Sequence, residues 1–390
     1  MASPNSRRRF LKGSIGTAVA AGLAENGQSA AGDDPASQNS ATAAPQVQWR
    51  NRNEAMRYRM LGRTGMMVSE IVMGGNEITP DNYQHVFEAM DMGLNYLDTS
   101  PAYGKGASEL GFAKVIKQRP RDHFFLTSKV SVWDLNRNER FEKIYNGLSG
   151  DEQSRLRGAA DDLIAQRGAA EPDYLGGYFG GQTRELNAAA LSDVMEATYG
   201  DRIDRVKNYR QIIIDSVEGS LQRLGTDHLD VLMCPHGASS PVELTRYPEI
   251  FDAFNELKVD GKVRFLGVSS HNDPAGVLDA ATKSGIYSVA MVAYNVVNES
   301  FMNQAIDAAH DAGVGVIAMK VARPVYRSPQ SANGNREGRK RLNEAVDGDW
   351  SIPQKAYLWA LRNPKLSAVI SNMVNAEQVA ENIILPLHRG

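Results

Sequence analysis

The sequence predicts an α/β protein of the TIM-barrel class, a (β/α)8 barrel with an N-terminal β-hairpin and a large insertion after the third strand. Three observations carry that reading. From Tyr58 onward, short β-branched or apolar runs alternate with segments of helical period, the pattern of repeated βα units on a parallel sheet. Eight such runs occur, the number that closes a barrel. The first three begin at Ser69, Leu94 and Phe124, but the fourth waits until Leu229, a gap far beyond the usual βα connection.

The elements follow in order. Ser6-Arg7-Arg8-Arg9-Phe10-Leu11-Lys12 leads into the weakly apolar stretch Gly13 to Leu23 and then the small residues Ser29-Ala30-Ala31. A basic start, a short apolar middle and a small-residue cleavage site form an export signal, and the paired arginines before Phe-Leu-Lys mark the twin-arginine type. Residues 1–31 are therefore expected to engage the twin-arginine export machinery and to send the mature chain to the periplasm. The apolar middle is too short to span a bilayer, so no stable membrane insertion is expected. Residues 32–56, rich in Ala, Ser, Gln and Asn, are expected to form a flexible linker. The barrel then occupies 57–388. Its hairpin is Tyr58 to Val68, turning at Gly62 to Gly65.

The eight strands are expected at Ser69–Gly74, Leu94–Asp98, Phe124–Lys129, Leu229–Cys234, Val263–Val268, Ser288–Tyr294, Val314–Met319 and Leu366–Ser371. Amphipathic helical segments between them include Asn82–Met92, Ile212–Leu224, Glu249–Leu257, Phe301–Ala312 and Pro353–Leu361. The insertion, about 131–207, holds helix-like stretches at Glu139–Leu148 and Glu152–Gln166, followed by the Gly- and Tyr-rich run from Tyr174 to Gly181. It follows the C-terminal end of a strand, so it must emerge on the face where barrel enzymes keep their active sites, as a lid or substrate-binding excursion.

Bulk composition limits the partners. With 390 residues, 42% hydrophobic and 23% charged, the chain can bury a large core. A net charge of −3 gives no electrostatic basis for binding nucleic acid or an anionic membrane. The lone cysteine, Cys234, excludes an intramolecular disulfide and a thiolate metal cluster.

Polar residues mark the strand ends. Asp98 ends the second strand with Tyr103 in the loop beyond it, Lys129 ends the third, and His236 follows the fourth. A buried Asp and Lys at a barrel rim are costly unless paired, so Asp98 and Lys129 are expected to form an ion pair. A neighbouring ammonium stabilises a phenolate, which is expected to lower the Tyr103 pKa toward that of a working general acid. His236 can then donate to a carbonyl oxygen.

The segments Leu97-Asp98-Thr99-Ser100-Pro101-Ala102-Tyr103-Gly104 with Glu109, Thr127-Ser128-Lys129, Ser220 to Asp230 leading to His236, and Gly267-Val268-Ser269-Ser270 resemble the aldo-keto reductases. The resemblance runs from Tyr58 to Ile384 apart from the insertion. It implies an oxidoreductase that moves hydride between nicotinamide C4 and a carbonyl or alcohol carbon of a small carbonyl or sugar substrate. Tyr103 is then the proton donor, Lys129 and Asp98 tune it, and His236 places the substrate oxygen; no metal is implied.

By the same match Ser269 and Ser270 stand where the family grips the carboxamide, and Glu381 with Asn382 matches the pair at the adenine; where an aromatic of the seventh strand often stacks on the nicotinamide, Ala318-Met319-Lys320 stands instead, as in some family branches, and Met319 can still pack on the ring. Other departures stand beside that one. Met291 occupies the position of a usual Gln, an Asn is more usual at Ser270, and no Lys or Arg follows the eighth strand to meet a 2′-phosphate. Arg323 and Arg327 are the substitutes for that last role, with NADP the family habit and NAD open. The rival reading, a barrel kept as a cofactor- or ligand-binding protein, rests on the missing Gln and the altered cofactor loop. Export also conflicts with a freely exchanging cofactor, which points to a tightly held cofactor recycled within each turnover.

Overall fold

The computed structural model describes residues 46–326 and 334–389. The stretch expected to act as an export signal, most of the expected linker and Arg327 lie outside the described residues. Eight parallel strands close the barrel: β4 (Ile71–Gly74), β5 (Tyr96–Asp98), β6 (Phe125–Lys129), β7 (Leu229–His236), β8 (Val263–Ser270), β9 (Val289–Ala293), β10 (Gly315–Met319) and β11 (Ala368–Ser371), with β11 pairing back onto β4. The strands fall where the apolar runs predict, because parallel strands covered on both faces read as continuous apolar sequence. Helices at His85–Asp91, Ala107–Ile116, Ile212–Leu224, Pro248–Val259, Pro274–Ser284, Glu299–Asp311 and Ile352–Leu361 alternate with them. No helix among the described residues is long and apolar enough to cross a membrane.

The chain enters through β1 (Gln48–Trp49), β2 (Tyr58–Met60) and β3 (Met66–Ser69); β2 and β3 form the expected antiparallel hairpin, and β1 lies parallel to β3. This corrects the linker boundary. Residues 46–56 belong to the fold: Gln48 pairs with Met66, and the Arg50 guanidinium reaches the buried Asp230 at 3.1 Å and Phe124 O at 2.6 Å. The hairpin plugs one end of the barrel. Leu61, Met66 and Val68 are fully buried against the barrel interior, with Tyr96, Phe125, Val231 and Ile317. The turn needs glycine at Gly62, where φ is +50° and a Cβ would stand 2.3 Å from the backbone nitrogen of Gly315.

The excursion between β6 and the helix Ile212–Leu224 contains three long helices, Trp133–Asn146, Gly150–Arg167 and Gln182–Tyr199. The third is absent from the sequence expectation. The Ser149 hydroxyl caps the second helix by accepting from the Glu152 amide, and Gly168 ends it at φ +61°. Phe141, Leu156, Leu186 and Met195 are buried in the same apolar cluster as the outer layer of the barrel. Trp133 packs edge-on to Tyr247, with ring centres 4.9 Å apart.

Arg137 ties this packing to the barrel loop. It is fully buried and donates to Asp193 at 2.5 Å, to Glu243 at 3.1 Å and to the Tyr247 hydroxyl at 2.6 Å. The excursion is thus a packed layer over barrel surface and not a detachable lid. Arg137→Met strands two buried carboxylates and is expected to cost roughly 3–5 kcal/mol, read as a lower denaturation midpoint; an unchanged midpoint would show the excursion to be energetically independent.

Candidate active site

Strand register brings the predicted group together. Asp98 pairs with Thr127 across β5 and β6, and Lys129 with Met233 across β6 and β7, so their side chains share one rim. A register shift between Met233 and His236 re-aims the end of β7. Lys129 donates to both Asp98 oxygens, at 2.7 and 2.6 Å, and to Thr99 O at 2.8 Å. Its ammonium sits 4.6 Å from the centre of the Tyr103 ring, and that ring meets His236 edge-on at 6.1 Å.

The motif residue Glu109 supports the strand that carries Lys129. It is fully buried, accepts from the Ser128 hydroxyl at 2.7 Å and binds Arg223 Nε at 2.6 Å. Arg223 itself lies in the Ser220 to Asp230 motif, so two separate sequence signals converge on one buried contact.

The electrostatics correct one expectation. Burial pushes the Tyr103 phenol up from its ordinary value, and Lys129 pulls it down by less, so the net direction is upward. The consequence is a phenol held in its protonated form, which is what a proton donor requires. Burial disfavours the Lys129 ammonium, but Asp98 and Tyr103 outweigh it and hold the group charged. Burial and then Lys129 drive the His236 pKa well below the imidazole range, leaving a neutral ring.

The Ser131 hydroxyl lies 2.6 Å from His236 Nδ1 and 2.8 Å from Ser100 Oγ. With Ser131 donating at Nδ1, the neutral ring carries its proton on Nε2, the form that donates to a carbonyl oxygen. Sequence reasoning missed Ser131, although it stands two residues beyond Lys129, the spacing that returns a side chain to the same face of an extended strand.

A cavity of about 1340 Å³ opens over this group. Tyr103, Ser131 and His236 line one part, Met291, Met319, Lys320 and Arg323 the next, and Gln378, Glu381 and Asn382 another. Lys320 holds a left-handed backbone at φ +59°. Asn382 Nδ2 donates to Ser371 Oγ at 3.2 Å.

Ser269 and Ser270 do not reach the cavity wall. Both are buried; Ser270 donates to Ala238 O at 2.7 Å, and Ser269 Oγ accepts from the Gly237 amide at 3.3 Å, so they pin the loop after His236. His271, unforeseen, lines the cavity instead, its pKa lowered to about 3 by burial and the nearby Lys320 and Lys129. From the excursion come Asp134, Leu135, Tyr178, Phe179 and Glu185, also unforeseen as site residues.

A cavity lined by Tyr103 and His236, with the buried Lys129–Asp98 pair beside them at the C-terminal strand ends of a parallel barrel, is an arrangement suited to proton-coupled redox chemistry. The aldo/keto reductase family matches residues 70–165 and 178–385, and the chain belongs to it. The unmatched stretch is residues 166–177, so much of the excursion falls within the match.

Among similar proteins, the NADH-specific methylglyoxal reductase of Escherichia coli is 23% identical over 76% of this chain and 80% of its own length. L-galactose dehydrogenase of Arabidopsis thaliana is 22% identical over 83% of this chain and 86% of its own. The holo form of an aldo-keto reductase from Bacillus halodurans superposes with a TM-score of 0.55 at 22% identity, covering 85% of this chain and 90% of that one, a likeness of fold. The family's reaction is hydride transfer with a nicotinamide cofactor, so the chain is an oxidoreductase and the rival reading of a binding barrel is set aside.

Proposed function

We propose that the enzyme transfers hydride between a nicotinamide dinucleotide and a carbonyl or alcohol carbon, with Tyr103 as the general acid and base. The observation that supports this above all is the Lys129 ammonium, gripped by both Asp98 oxygens and 4.6 Å from the centre of the Tyr103 ring. When bound, the dinucleotide supplies the hydride. In reduction the Tyr103 hydroxyl gives its proton to the carbonyl oxygen as that oxygen gains charge, and His236 Nε2–H holds the same oxygen. In oxidation Tyr103 takes the proton back from the alcohol. Lys129 stabilises the phenolate left in reduction, and Asp98 keeps Lys129 charged and in place.

The cavity suits a dinucleotide. Lys320, Arg323 and Arg339 supply cations in its wall for phosphate, and Glu381 with Asn382 offers polar contacts for a base. NADP follows the family habit, whereas the printed name of the Escherichia coli relative specifies NADH for that protein, so either nucleotide belongs in the assay. Small carbonyl compounds and sugars are the proposed substrates, in keeping with the names of the two curated relatives.

The twin-arginine signal at residues 1–31 supports export to the periplasm with the cofactor already in place. There the enzyme retains its dinucleotide and regenerates it within each turnover, either by coupling reduction of one substrate to oxidation of a second or by oxidising and re-reducing one sugar carbon through a transient ketone, the excursion slowing cofactor escape. Protein isolated from an exporting host and dialysed at length without nucleotide is expected to keep its cofactor and to turn over without added NAD(P)H. Ready loss of the cofactor, with activity only on resupply, would return the enzyme to conventional carbonyl reduction with an exchanging cofactor.

A further inference from the structure

We propose that Asp134, contributed by the excursion, recognises a hydroxyl group carried next to the reacting carbonyl carbon, so that the enzyme favours hydroxycarbonyl compounds over plain aldehydes. The inference rests on the hydride-transfer reading of the site and names the substrate class that site selects. Asp134 stands five residues beyond Lys129, in the first turn of the helix Trp133–Asn146, and lines the same cavity as Tyr103 and His236. Its Oδ2 is 3.9 Å from the point where a Cβ on Gly237 would stand, and Gly237 directly follows His236. The carboxyl therefore borders the catalytic histidine's own loop.

The other oxygen, Oδ1, is buried and has no hydrogen-bond partner. Arg137, one helical turn on, pulls the Asp134 pKa down by less than burial raises it, and its own hydrogen bonds go to Asp193, Glu243 and Tyr247. A buried acceptor without a partner is destabilising, and a turn of the carboxyl that exchanges its two oxygens offers that acceptor to a hydroxyl in the cavity the side chain lines. Burial, reinforced by the Glu243 carboxylate, raises the Asp134 pKa well above its ordinary value, and a carboxyl group in either protonation state can accept a hydrogen bond from a substrate hydroxyl. Glu185, its pKa also raised by burial, lines the same cavity, and Phe179 lies edge-on to His271 with ring centres 5.5 Å apart, an aromatic surface for the carbon face of a polyol.

A site built to hydrogen-bond a hydroxyl rejects the analogue that lacks it, because its own polar group is then left unpaired. The test compares glycolaldehyde with its deoxy analogue acetaldehyde in wild type, Asp134→Ala and Asp134→Asn, as the ratio of kcat/KM for the two. The ratio is expected to favour glycolaldehyde in wild type, to fall by about tenfold in Asp134→Ala and to survive largely in Asp134→Asn, which keeps a donor and an acceptor. A ratio that does not change in Asp134→Ala would overturn the assignment.

Calorimetric titration of the enzyme with xylitol, at saturating oxidised dinucleotide, reads Asp134 independently of turnover. Binding at least about tenfold weaker in Asp134→Ala supports the assignment. Equal binding by the two proteins, or no binding to wild type, overturns it. Absence of turnover with both aldehydes, alongside Asp134-dependent xylitol binding, would count against hydride transfer and leave the recognition role standing.

Discussion

Tyr103→Phe is expected to lower kcat by about 10²–10⁴-fold in both directions of the reaction while leaving cofactor affinity close to that of wild type. The substitution removes only a hydroxyl. The ring still fills its place against the Lys129 ammonium and the edge of His236, so the cavity keeps its shape. What disappears is the one protonated group in the cluster whose chemistry suits proton donation: His236 is neutral with its pKa far below the imidazole range, and Lys129 is committed to Asp98 and Thr99. Rapid-mixing kinetics separate the chemical step from product release, and cofactor titration reports binding. A variant with near-normal chemistry would remove Tyr103 from the mechanism.

Lys129→Met carries a double effect. The pair it breaks is fully buried, and Asp98 is left without its counter-ion, so a loss of roughly 3–5 kcal/mol of stability is expected. The second effect is on pH dependence. Lys129 is the group that pulls the Tyr103 pKa down against burial, and without it the phenol titrates higher still. Oxidation of an alcohol needs the phenolate as base, so its rate rises with pH through the Tyr103 pKa. In Lys129→Met that rise is expected to move to higher pH, beyond the reduction in kcat itself. An unshifted profile in a folded variant would mean that Lys129 does not tune the tyrosine. A merely structural lysine would change stability and leave the profile where it was.

The barrel was legible because its strands are built around short apolar or β-branched runs between polar turns, and the strand ends fix where Asp98, Lys129 and His236 emerge. Their convergence follows from parallel register alone. Three features were not legible, for different reasons. Residues 46–56 have the polar composition of a linker, and what orders them is a pairing with Met66 and an ion pair with Asp230, far along the chain.

The helix Gln182–Tyr199 buries Leu186, Ala189, Ala190 and Met195 at helical spacing, but its apolar face is built largely of alanine and follows a glycine-rich run that reads as loop. The direction of the Tyr103 shift depends on how thoroughly tertiary packing desolvates the barrel rim, a property that a neighbouring lysine in the motif cannot reveal. The same holds for Asp134, Phe179 and Glu185, whose place in the cavity wall is set by how the excursion folds back over the barrel. Arg137, which fastens that fold, pairs with residues 56 and 106 positions away.

Isotope transfer tests hydride delivery most directly. Wild-type enzyme and Tyr103→Phe, stripped of their own dinucleotide and reloaded with NADPH or NADH deuterated at nicotinamide C4, are to be given each carbonyl substrate that supports turnover, and the alcohol product examined by mass spectrometry and proton NMR. The account predicts one deuterium on the former carbonyl carbon in the wild-type product, and label formation slowed by about 10²–10⁴-fold in the variant. Product without deuterium at that carbon, or equal rates of label transfer in the two proteins, would contradict it.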